Sequence, residues 1–239
     1  RDFFVSAAYA LIGGIVFSFT FAAVKPSMPL LLPFFADGFF TEADRVLHFG
    51  NDPWQLTHML AEFVPTRAVT TLYFSVWAAL GLFFPLHLAL VDNNPDRAAR
   101  FLLLYVVVWI GLGNFAALAG LSAGPVYHDR LLGGAEFDGL AQALQASGVA
   151  NTIVGSLQNT LWMLLVERQQ DSGSGISAFP SVHVGVATVI ALYGIERGFL
   201  ASIPAVGFGL AIMFLSVYLG WHYAIDGYFS ILVVVWVWW

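Results

Sequence analysis

Six apolar stretches, each carrying few or no charges, constrain this chain more than any other feature. They lie near Phe3–Val24, Ala68–Val91, Phe101–Ala123, Ser181–Ile195, Ile203–Gly220 and Tyr223–Trp239. Runs of about 17–25 apolar residues are long enough to cross a bilayer as helices. In hydrocarbon, only helices and closed barrels satisfy the backbone's own polar groups. The fourth run is short and spans only if Pro180 and the residues just before it enter the membrane. Composition agrees. Of 239 residues, 59% are hydrophobic and 10% charged, whereas a soluble domain carries about a quarter charged; mean hydropathy is +0.79. The expectation is an all-α polytopic membrane protein, six transmembrane helices plus interfacial helices, forming one domain over residues 1–239.

Two long segments separate the spans. Lys25–Arg67 contains Pro26, Pro29, Pro33 and Pro53 with scattered charges, so it is expected at the interface. Gly124–Phe179 opens on the turn Gly124-Pro125 and stays polar to Gln145. It continues as an interfacial helix over Asn151–Val166 and ends in the flexible run Asp171-Ser172-Gly173-Ser174-Gly175. With six crossings, the third span ends, the fourth starts, the fifth ends and the sixth starts on one side. Parity therefore brings Gly124–Arg130, Phe179–His183 and His222–Asp226 to the same membrane face. The opposite side holds Arg1, Arg97, Arg100 and Arg197 in brief segments. By the positive-inside rule that side is cytoplasmic, and the converging clusters face the periplasm, the exterior or a lumen.

Several classes drop out. A net charge of −6 with no basic run argues against nucleic acid. Without cysteine there is no disulfide framework or thiolate chemistry. The first apolar run lacks a basic leader and reads as a span, not a cleavable signal.

The chemistry gathers in the converging clusters. His222 and Asp226 are four apart and share a helix face. A carboxylate accepting the Nδ1 hydrogen fixes the tautomer and leaves Nε2 to attack; a structural polar staple between helices would use the same pair. His183 follows Pro180-Ser181 at a helix start, where outward N–H groups and the helix dipole favour an anion. One turn inside, it is placed to protonate a leaving oxygen. Alternatively, Ser181 is only a cap and His183 a packed side chain. Phosphoryl transfer needs charge neutralisation at the phosphate. Arg130, within Tyr127-His128-Asp129-Arg130, is the candidate cation and Arg168 a weaker one; snorkelling accounts for either equally well. His128 is a lesser site candidate, and His48, His58 and His87 read as structural. No ligand spacing points to a metal.

Together these residues resemble the type 2 phosphatidic acid phosphatase superfamily. Pro180-Ser181-Val182-His183 stands where that family has Pro-Ser-Gly-His, and His222 with Asp226 matches its His-x-x-x-Asp. The resemblance implies a phosphohistidine on His222, with Asp226 orienting it and His183 as general acid. Ser181 would help bind phosphate, and no metal or other cofactor would be needed; Arg130, Tyr127 and His128 are the further candidate phosphate contacts. Two family features are missing: the Lys followed seven residues later by Arg-Pro, and the Arg six residues before the histidine, which is Ser216 here. With Gly124-Pro125-Val126-Tyr127, the pattern is more similar to the inositol phosphorylceramide synthase (aureobasidin-resistance) branch, which moves a phosphorylated headgroup between lipids. The partners implied are a phospholipid and a lipid alcohol acceptor. The alternatives are hydrolysis of phosphatidic acid or a polyprenyl phosphate, a proton-coupled transporter using the His/Asp pair, an inactive scaffold, and a metal-dependent headgroup transferase. The transferase would need facing aspartates that the spans lack.

Overall fold

The structure is a computed structural model that describes residues 2–167 and 175–239. Arg168 and the run Asp171-Ser172-Gly173-Ser174 lie outside the described residues. Every regular element among the described residues is helical. The main helices are α1 (Asp2–Val24), α2 (Asp37–Leu47), α3 (Thr66–Leu82), α4 (Phe84–Val91), α5 (Pro95–Ala119), α6 (Pro125–Leu132), α7 (Asp138–Ala146), α8 (Ile153–Val166), α9 (Val182–Glu196), α10 (Phe199–Tyr218) and α11 (Ala224–Trp238).

Among the described residues, three helical stretches are long and apolar enough to cross a membrane: Ala8–Leu31, Pro95–Ala119 and Phe199–Tyr218. Helices α3 and α4 make a fourth if taken as one span bent by 45°. The bend falls just before Pro85, whose ring and missing N–H interrupt the helical ladder. Two of the six expected spans are shorter than a full crossing, the fourth as expected and the sixth against expectation. Helices α9 and α11 have 15 residues each, about 22 Å at 1.5 Å per residue. Ser181 sets the start of α9 as its N-cap, and the chain turns at Gly198 with φ +107° beyond its end.

Helix α9 lies at the centre. Buried residues occur on every side of it, from Val182 to Gly194, the signature of a helix surrounded by protein. It packs against α10, α11, α5 and α3. Small residues permit the approach: a Cβ on Gly185 would stand 2.8 Å from Val108 Cγ1 of α5, and one on Gly194 would collide with Ala205 of α10. Gly227 of α11 meets Met213 of α10 in the same way. Helix–helix contact through small residues is what close packing in a bilayer requires.

The first long segment is shorter than expected, because its residues up to Leu31 continue the first long apolar stretch and Thr66 and Arg67 open α3. Lys25–Arg67 contains α2, which buries Asp37, Phe40, Thr41 and Asp44, an i, i+3, i+4, i+7 face. Beyond α5 come α6, α7 and α8; Thr152 caps α8, its hydroxyl accepting from Val154 N–H at 3.2 Å.

Candidate active site

Three loops meet at one end of α9. Ala178 N–H donates to Ser122 C=O at 2.8 Å, Val126 N–H to Gly220 C=O at 3.0 Å, and Ser181 N–H to Asp226 C=O at 3.2 Å. The clusters around residues 124–130, 179–183 and 222–226 are thus tied by backbone hydrogen bonds. Gly124 sits at φ +93°, and any Cβ there would lie 2.5 Å from the Trp221 carbonyl oxygen. Only glycine lets these two loops pass so closely.

Ser181 is fully buried and caps α9, its hydroxyl accepting from Val184 N–H at 3.3 Å. His183, in the first turn, lies flat against two aromatic rings of α3: Tyr73 at 4.7 Å and 2°, and Trp77 at 3.9 Å and 24° between centroids and planes. The Trp77 indole N–H donates to His183 C=O at 3.0 Å. The ring is therefore clamped on a face set by the i, i+4 spacing of Tyr73 and Trp77.

His222 occupies the turn between α10 and α11, and its ring centroid is 6.5 Å from that of His183. Its Nδ1 is 3.3 Å from Asp226 Oδ2, which also accepts from Tyr223 N–H at 3.0 Å. With Asp226 ionised the carboxylate can only accept, and this contact then holds the hydrogen on Nδ1. Burial pushes the His222 pKa down to about 3, and the nearby Lys25 charge adds to this while the Ala178 carbonyl opposes it. At neutral pH the imidazole is uncharged, the form a nucleophile needs. Asp226 is fully buried, and its Oδ1 has no hydrogen-bond partner among the described residues.

His183 and His222 share a cavity of about 160 Å³ with Lys25, Tyr73, Tyr127, Ser177 and Trp221. The other expected phosphate contacts are placed differently. Tyr127 lines the cavity, but its hydroxyl donates to Gln158 C=O at 3.0 Å. Arg130 lines a separate cavity of about 270 Å³, where it donates to Asn159 Oδ1 at 3.3 Å and lies over Trp162. His128 is buried with Nδ1 3.0 Å from Asp129 and does not line the shared cavity. His48 bonds the Asp44 carbonyl and the Tyr228 hydroxyl, and His58 bonds Tyr218 C=O.

Two carboxylates of α2 hold the loops, and sequence reasoning missed both. Asp37 accepts from Ala123 N–H through both oxygens at 3.0 and 2.9 Å, from Gly124 N–H at 2.9 Å and from the Tyr223 hydroxyl at 3.0 Å. Asp44 accepts from Ala224 N–H at 2.7 Å and Ile225 N–H at 2.9 Å, the first amides of α11. Burial pushes both carboxyl pKa values up, and these amide hydrogen bonds pull against it. Their seven-residue spacing, with Phe40 and Thr41 between, was the available signal. Lys25 was also missed, because a lysine closing an apolar run reads as an interfacial anchor.

The family model described as the PAP2 superfamily matches residues 39–239 of this chain. Members of that superfamily are typically phosphatases or phosphotransferases. No curated protein and no solved structure matches it.

Proposed function

Because the chain belongs to the PAP2 superfamily, we propose that it cleaves or transfers a lipid phosphate ester through a phosphohistidine on His222. One observation carries this reading: Asp226 engages His222 Nδ1 at 3.3 Å while the His183 ring stands 6.5 Å away across a shared cavity. In the first half-reaction the Nε2 lone pair forms an N–P bond. The bond from phosphorus to the leaving oxygen breaks, that oxygen keeps the electron pair, and protonated His183 supplies its proton. Asp226 stabilises the imidazole while it carries positive charge. In the second half, an acceptor hydroxyl attacks phosphorus and gives its proton to His183, and the N–P pair returns to Nε2. A lipid alcohol as acceptor makes the enzyme a transferase; water makes it a phosphatase. No cofactor enters the reading. Ser181 serves by capping α9, whose first N–H groups seat the phosphate; Arg130 and His128, outside the cavity, have no part.

The finer reading is phospholipid headgroup transfer of the inositol phosphorylceramide synthase type. Ser216 supports it. Where the superfamily motif has arginine, this chain has a fully buried serine whose hydroxyl donates to Met213 C=O. A phosphodiester carries one charge and needs less cationic clamping than a monoester. We further read α1, the bent α3–α4 pair, α5, α9, α10 and α11 as six crossings of one domain. The density of Arg97, Arg100 and Arg197 at the far end supports reading the site as facing the non-cytoplasmic side.

The test is trapping. Purified protein given phosphatidylinositol, phosphatidic acid or a polyprenyl phosphate labelled on phosphorus, with and without ceramide, is quenched and assayed for acid-labile label on His222. His222→Ala should remove label and turnover while the protein stays folded, and chelator should leave both unchanged. Turnover that survives His222→Ala would end the covalent mechanism. Preference for monoesters over diesters would end the headgroup-transfer reading.

A further inference from the structure

The cavity shared by the two histidines has a charge problem. Behind its lining stand two buried carboxylates, Asp226 against His222 and Asp37 against Ala123, and a phosphate brings further negative charge. The superfamily's clamping cations are missing from the sequence, and no arginine among the described residues lines the cavity. Arg130 faces the neighbouring cavity. Arg45 is bonded to Asp52 and Glu136, Arg97 to Asp92, and Arg100 to Glu196. Arg67 is exposed and does not line the cavity. Lys25 does line it, beside both imidazoles, and its charge acts on His222. It makes no ion pair among the described residues, and its ammonium lies over the face of Phe21, 5.7 Å from the ring centroid.

The lysine is held in place and does not dangle from a helix end. It opens the tight turn Lys25–Ser27. Gly175 packs on its backbone so closely that a Cβ there would lie 2.5 Å from Lys25 C and 2.7 Å from its carbonyl oxygen. Met28, next in the helix, is buried with Ala117 and Leu121 of α5 and the loop that follows. The segment bearing Lys25 precedes residue 39, where the superfamily match begins.

We infer that Lys25 is the phosphate-binding cation of this site, delivered by an N-terminal helix outside the superfamily region to replace the missing clamp. This rests on the phosphoryl-transfer reading above and narrows it: one ammonium balances one charge, so the substrate class is a phosphodiester. The flexible stem lets a point charge follow the phosphorus through both half-reactions, which a planar guanidinium locked in a bidentate pair would not do.

The experiment measures binding apart from turnover. Full-length protein in detergent micelles is titrated with inorganic phosphate, followed by phosphorus NMR, as wild type, Lys25→Met, Lys25→Gln, Lys25→Arg, Arg130→Met and His222→Ala. Loss of one charge-assisted contact should weaken phosphate binding roughly 10–100-fold in Lys25→Met and Lys25→Gln. Lys25→Arg and Arg130→Met should stay within about threefold of wild type. His222→Ala should still bind, so a failure of the covalent mechanism is read separately. Turnover of phosphatidylinositol should fall with Lys25→Met and return in part with Lys25→Arg, tryptophan-fluorescence melts being matched throughout. Wild-type affinity in both Lys25→Met and Lys25→Gln, or loss in Arg130→Met alone, would overturn the assignment, as would a wild type that binds no phosphate. If Lys25→Met does not fold, Lys25→Gln and Lys25→Arg decide.

Discussion

Asp44→Ala should both loosen the protein and slow it, because Asp44 holds the start of the helix that carries Asp226. Its two oxygens take Ala224 N–H at 2.7 Å and Ile225 N–H at 2.9 Å. Removing them leaves two donors unsatisfied, at about 1–3 kcal/mol each, or roughly 2–6 kcal/mol in all. For a chain of this size each kcal/mol moves the melting midpoint by about 2–4 °C, so the expected drop is on the order of 4–24 °C. Asp44→Asn keeps one acceptor and turns an amide hydrogen toward the other donor, so it should fall near the lower end. Glu42, on the exposed face of the same helix with only Arg45 at 3.4 Å, is the control; Glu42→Ala should stay within about 0.5 kcal/mol of wild type.

The kinetic consequence separates positioning from bulk stability. Residues 222–226 move with the first turn of α11, so the His222–Asp226 contact should lengthen or scatter, lowering kcat while KM for the lipid changes little. The assay is release of labelled headgroup from mixed micelles, at a temperature where every variant is folded by tryptophan fluorescence. If Asp44→Ala melts within about 1 °C of wild type and turns over normally, the α2 carboxylates hold nothing that matters.

Three further outcomes follow from the same geometry. Asp226→Asn should lower kcat severely, towards the roughly 10⁴-fold seen when a serine triad loses its tautomer-fixing carboxylate; headgroup release reports it. The His222 pKa is about 3 in the fold against about 6.5 unfolded. Above about pH 6.5 neither state binds this proton. As pH falls the unfolded chain takes up a proton the fold refuses, so stability is lost between about 6.5 and 3, and melts of wild type against His222→Gln should show the variant gaining relative stability as pH falls from 7 to 4. Gly185→Ala should cost about 1–3 kcal/mol through overpacking on Val108, and Val108→Ala in the same chain should recover part of it in the melting midpoint.

The meeting of the three polar loops was legible because parity needs only the ends of apolar runs. The His222/Asp226 contact was legible because four-residue spacing is a local property. Span lengths were less so. Apolar runs at Ser181–Ile195 and Tyr223–Trp239 do not distinguish a crossing from a short helix buried in a bundle, and α9 and α11 are 15 residues each. The α2 carboxylates were hidden by distance, since Asp37 finds Ala123 and Tyr223, and Asp44 finds Ala224, 86, 186 and 180 residues along the chain. Arg130 misled because proximity to the third span says nothing of which face α6 turns to α8, where Asn159 and Trp162 take the guanidinium.

How the buried carboxylates are satisfied explains how Lys25 can remain available. Asp37, Asp44 and Asp226 are all buried, and buried carboxylates ordinarily demand cations. Here backbone N–H groups serve instead: Ala123 and Gly124 for Asp37, Ala224 and Ile225 for Asp44, Tyr223 for Asp226. Those at the start of α11 also carry the positive end of a helix dipole. Charge compensated by amides fixes the loops without consuming an ammonium or a guanidinium. Had Asp37 or Asp44 been paired with Lys25, the loops would be held as firmly, but the cavity would present an incoming phosphate with a neutralised lysine. Amide-held carboxylates and a lysine without an ion pair among the described residues are two halves of one arrangement, and a substitution that turned Asp37 towards Lys25 would weaken phosphate binding even with every histidine in place.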